Sequence, residues 1–86
     1  MKLKDGFVTY DRGGEYLVVA TGNSPFKGLI RANSTGGYVI ELLKNEITET
    51  GIVDLMEARY DAPRELLEKN VAEVIEKLRS VGALEK

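Results

Sequence analysis

The sequence predicts a small α+β domain, a three-stranded antiparallel sheet followed by three helices, in a winged helix-turn-helix-like order. Three observations carry this. β-Branched and aromatic residues crowd the first third of the chain, in runs separated by glycine-rich turns. Beyond Asn33, apolar residues recur at helical spacing in three blocks divided by capping residues. The 86 residues show no internal repeat, linker or low-complexity segment, so a single domain over 1–86 is expected.

Phe7-Val8-Thr9-Tyr10 reads as the first strand and Glu15 to Thr21 as the second. Arg12-Gly13-Gly14 between them is a hairpin turn. Gly22-Asn23-Ser24-Pro25 is a second turn, and Lys27 to Ala32 is a short third strand weakened by Gly28.

Asn33, Ser34 and Thr35 offer three N-cap side chains in a row. Val39, Ile40, Leu42 and Leu43 then mark a helix at about 34–44. Gly36 and Gly37 in its first turns each cost about 1 kcal/mol against Ala, which suggests close packing against the strands. Thr48 caps a second helix at about 49–60, with Ile52, Leu55 and Met56 as its inner stripe. Ala62 as N-cap and Pro63 as first helical residue open a third helix at about 63–81. Leu67, Val71, Val74, Ile75 and Leu78 form one apolar face over three turns, and Gly82 supplies the stop.

Absences exclude several chemistries. The chain has neither histidine nor cysteine, which removes Ser-His-Asp and Cys-His catalysis, disulfides and thiolate or imidazole metal sites. Glu65, Glu68, Glu73 and Glu76 alternate with basic residues and read as a solvated helix face. Neither glycine pair has phosphate-loop or dinucleotide spacing. An enzyme is therefore not expected, nor a cofactor. No apolar run approaches the roughly 20 residues of a membrane span, and none follows the N-terminus as in a signal peptide, so the expectation is a cytoplasmic chain with no membrane partner.

A helix-turn-helix order invites DNA binding, but the net charge is −2. On the third helix Arg64, Lys69, Lys77 and Arg79 are matched by four glutamates, leaving no surplus charge for phosphates. A winged-helix DNA-binding regulator, or another small interaction module, is the alternative reading, and no nucleic-acid partner is expected. The third strand offers a different opportunity. Lys27, Leu29 and Arg31 share one face, with Ile30 and Ala32 on the other. Such an edge either blocks aggregation with its charges or docks an extended peptide.

The order and spacing resemble the PqqD-like family, the recognition elements of ribosomally made, post-translationally modified peptides, coenzyme PQQ synthesis among them. The resemblance covers about residues 6–85. It runs from Leu29-Ile30-Arg31-Ala32-Asn33-Ser34-Thr35-Gly36 into Val39-Ile40-Glu41-Leu42-Leu43. It continues through Thr48-Glu49-Thr50-Gly51-Ile52-Val53-Asp54-Leu55 and Arg59-Tyr60-Asp61 to Leu78-Arg79-Ser80-Val81-Gly82-Ala83-Leu84-Glu85. Gly37 and Gly51 depart from the helix formers more usual at these places, which leaves the subfamily open.

The resemblance implies a non-catalytic peptide-binding module. The leader of a precursor peptide would add as a strand to the third β-strand, against the third helix, and be presented to a modifying enzyme such as a radical SAM protein. Carried over by position, the binding residues are Lys27, Gly28, Leu29, Ile30, Arg31 and Ala32 on the strand. On the helix they are Arg64, Leu67, Val71, Val74, Ile75 and Leu78, most of which must also serve the core. Lys27 and Arg31 would favour an acidic leader residue. A monomer, or a dimer through the free strand edge, is expected.

Overall fold

The computed structural model describes residues 1–21 and 29–85. Its elements are β1 (Lys2–Leu3), β2 (Phe7–Asp11), β3 (Glu15–Ala20), β4 (Leu29–Asn33), α1 (Ser34–Leu42), α2 (Glu49–Arg59), α3 (Arg64–Ser80) and β5 (Leu84–Glu85). β2, β3 and β4 form an antiparallel sheet in that spatial order. The hairpin between β2 and β3 turns on Gly13 and Gly14, with φ of 59° and 94°. Two consecutive positive φ values are what a two-residue hairpin turn of this hand demands.

α1 packs on one face of the sheet, and α2 and α3 pack against α1 and each other behind it. Val18 of β3, Val39 and Ile40 of α1, Ile52 and Met56 of α2, and Leu67, Val71, Ile75 and Leu78 of α3 make a single buried core. Asn33 caps α1, its side chain accepting from the Gly36 amide at 2.8 Å. Thr48 does the same for α2 through the Gly51 amide at 3.0 Å. Gly82, at φ 72°, ends α3, and the Ala83 amide returns to the Leu78 carbonyl at 2.8 Å.

Several boundaries differ from the sequence reading by one or two residues, and four of them matter here. The third strand begins at Leu29 among the described residues and runs on to Asn33, while Lys27 and Gly28 lie outside them. α1 ends at Leu42, with Leu43 as its C-cap folded into the core. Tyr60 is the extended C-cap of α2 rather than its last helical residue. Pro63, not Ala62, is the N-cap of α3, with ψ 141°. The Leu66 and Leu67 amides donate to the Pro63 carbonyl at 3.0 and 3.2 Å, so helical bonding starts there.

The two chain ends also pair. β1 and β5 form a two-stranded antiparallel sheet, with Lys2 opposite Glu85 and Leu3 opposite Leu84. Leu3 and Ala83 are buried, and the Leu3 amide donates to the Leu43 carbonyl at 2.8 Å. The sequence reading places no strand at either end. Two-residue strands fall below any periodicity a sequence displays.

Candidate functional site: an open strand edge beside a groove

Among the described residues β4 is an edge strand, and the phase of the ladder fixes which of its backbone groups face outward. The Arg12 amide donates to the Glu15 carbonyl at 2.7 Å, and the Thr21 amide to the Gly6 carbonyl at 2.7 Å. Antiparallel pairs alternate between bonded and non-bonded. Tyr10–Leu17 and Val8–Val19 are therefore bonded pairs, and β3 turns the backbone groups of Tyr16 and Val18 toward β4. These meet Ala32 and Ile30. The N–H and C=O groups of Leu29 and Arg31 consequently point to the open side of the sheet.

Beside that edge lies an open groove of about 500 Å³ between β4 and α3. Arg31, Ala32 and Asn33 form one wall, and Asn70, Glu73, Val74 and Lys77 the other. Gly36 and Val39 of α1 make its floor. The floor is low because Gly36 lacks a side chain. A β-carbon there would lie 3.0 Å from Cβ of Ala32 and 3.5 Å from Cγ2 of Val74. Glu73 and Lys77 are the charged side chains of the α3 wall, while Arg31 and Glu15 border the groove from strand positions whose side chains turn to the other face of the sheet, so the groove holds no surplus of either sign.

α1 is fixed against the sheet by Tyr16. Its hydroxyl donates to the Glu41 carboxylate, which also pairs with Lys44 at 2.9 Å. Burial, then the Glu41 hydrogen bond, hold the Tyr16 hydroxyl above its ordinary range. The Tyr16 hydrogen bond, then Lys44, hold Glu41 below the usual carboxylate value. Glu41 in turn raises Lys44.

Among the residues singled out from sequence, Arg31, Ala32 and Val74 meet at the groove. Leu29 and Ile30 stand on opposite faces of β4, with Ile30 packed on the core and Leu29 exposed. Leu67, Val71, Ile75 and Leu78 are buried in the core. Arg64 lies away from the groove and binds Asp54 and Glu57 of α2 at 3.0 and 3.1 Å, with Asp54 the main cause of its raised pKa. The sequence reading missed Asn70, and assigned Glu73 and Lys77 to a solvated face. Their spacing around Val74, at 70, 73, 74 and 77, was the available signal, since these positions share one side of a helix. Among the described residues no group of three or more potential ligands could hold a metal ion, and no helix is long and apolar enough to cross a membrane.

An edge strand and a helix enclosing a groove, on a three-stranded sheet backed by three helices, define a class of domain that the comparisons identify. The chain belongs to the PqqD family: the sequence profile of coenzyme PQQ synthesis protein D matches residues 10–84. In fold it is similar to TbiB1, solved in complex with the TbiA(beta) leader peptide, with a TM-score of 0.80 at 21% identity. That match covers 99% of this chain and 95% of TbiB1. No curated protein matches the chain significantly.

Proposed function

We propose that this chain is a non-catalytic recognition module that binds the leader of a ribosomally made precursor peptide and presents it to a modifying enzyme. The leader adds as a strand to β4 and rests in the groove against α3. The observation that carries this reading is the edge itself. The outward backbone groups of Leu29 and Arg31 lie beside a groove with a glycine floor. Main-chain bonds supply affinity in such strand addition, and side-chain pockets supply specificity. Family membership and the leader-bound state of TbiB1 support the same reading.

The module acts by tethering. A disordered leader pays its ordering cost on binding. Holding it beside the enzyme raises the effective concentration of the segment to be modified. A radical SAM protein is one such partner, and the cytoplasm is where this peptide chemistry is expected. The balanced charges of the groove suit a peptide better than a phosphate backbone.

The test is fluorescence anisotropy with labelled synthetic leaders, the TbiA(beta) leader and those of any precursor peptides found encoded near this chain. Saturable binding in the low micromolar range, lost with a scrambled leader, supports the reading. Flat anisotropy with folded protein removes the leader tested as the ligand.

A further inference from the structure

On the side of the sheet away from the helices, exposed apolar side chains surround Leu17, which is itself only 8% exposed. Val8, Tyr10 and Leu29 are 39%, 53% and 46% exposed. The register arranges this face in two rows. Val8, Val19 and Leu29 stand side by side in one, and Tyr10, Leu17 and Arg31 in the other. Each row runs across the sheet and stops at the open edge of β4. The first ends on an apolar side chain, the second on a guanidinium whose nearest acidic partner among the described residues, Glu15, is 4.0 Å away.

The size of this face selects its occupant. Three strands paired over five residues span roughly 14 × 17 Å, about 240 Å² against the roughly 800 Å² per partner of a standard stable interface. A single added strand fits both the area and the open edge. Side chains on any such strand alternate between the two faces of the sheet. Because Leu29 and Arg31 carry both the outward backbone groups and the outer-face side chains, the leader residues directly opposite them must also project onto the outer face.

Resting on the leader-binding reading above, we infer that the leader is read on both faces of the sheet at once. One leader residue enters the groove between two others that extend the outer rows. The one opposite Leu29 is a bulky apolar side chain. The one opposite Arg31, two positions away, is a carboxylate. The peptide class is therefore acidic–any–apolar in three consecutive residues, with the middle side chain turned to the groove. β4 runs from Leu29 to Asn33, so the acidic residue comes first in an antiparallel leader and last in a parallel one.

An alanine scan of the synthetic leader, measured by calorimetry against the wild-type chain, tests this. Three consecutive leader positions should each lose affinity, the outer two by up to about five-fold, the scale of a cross-strand pair. Leu29→Thr should erase the sensitivity of the apolar outer position only, and Arg31→Gln that of the acidic one only. Both substitutions are on the exposed face, and the scan on wild-type protein stands without them. If the leader binds but only alternate positions are sensitive, the two-faced reading is overturned while leader binding stands. A dimer of the free chain that Leu29→Thr dissolves overturns it too, assigning the face to a second copy. No binding at all removes both readings.

Discussion

The ring of Tyr16 fills the space where a side chain on Gly37 would stand. A β-carbon on Gly37 would lie 2.7 Å from two of its ring carbons. This contact, between β3 and the first turn of α1, sets how closely the helix approaches the sheet and hence where the groove floor sits. Gly37→Ala should therefore destabilise the protein. Overpacking of this kind costs about 1–3 kcal/mol, of which better helix propensity returns about 1. Urea unfolding should show a lower midpoint with an unchanged slope.

Asn33 ends the edge strand and caps α1 with one side chain. Its replacement by Ala should cost about 1 kcal/mol, while Asn33→Asp, which keeps the accepting oxygen, should cost little. Thermal melting of the pair distinguishes a capping role from a merely exposed residue.

Val74 and Ile75 are adjacent on α3 but serve different ends. Ile75 is buried, whereas Val74 is half-buried on the groove wall. Ile75→Ala should cost about 2–5 kcal/mol of stability. Val74→Lys should cost clearly less stability than Ile75→Ala, since Val74 only borders the core, and weaken leader binding at least ten-fold. Parallel calorimetry and melting curves check both. Arg64→Ala should loosen the α2–α3 contact without changing leader affinity, since Arg64 does not line the groove.

The Tyr16–Glu41–Lys44 group makes stability depend on pH at both extremes. Glu41 titrates lower folded than unfolded, mainly through the Tyr16 hydrogen bond. Its contribution is present above the ordinary carboxylate range and is lost as pH falls through the folded value. Tyr16 titrates higher folded, mainly through burial. Its contribution is intact below the ordinary tyrosine range and is lost as pH rises through its folded value. Glu41 is largely exposed, so the acid effect is modest. In chemical denaturation at several pH values, Glu41→Gln should lose stability at neutral pH, and its difference from wild type should shrink toward pH 3.

Most of the fold was legible because alternation, caps and turn glycines agreed. Asn33, Thr48 and Gly82 each do what their position in the sequence implies. Gly36 and Gly37 were read as close-packing glycines, and the Ala32 and Tyr16 contacts bear that out. The β1–β5 pairing escaped because Leu3 and Ala83 become core residues only through each other's neighbourhood. The groove was half legible. Helical period identified the apolar stripe of α3, but it cannot separate Val74, one step around the helix, from the buried Val71 and Ile75. Glu73 and Lys77 read as a solvated pair because their role depends on where β4 ends, which is a tertiary fact.

Strand addition to β4 is tested most directly by amide exchange of the isotopically labelled chain with and without saturating leader. The Leu29 and Arg31 amides, turned to the open side of the sheet, should shift and gain protection. Those of Ile30 and Ala32, already bonded to β3, should change little in protection. Saturable binding that leaves Leu29 and Arg31 exchanging as in the free protein would contradict the account.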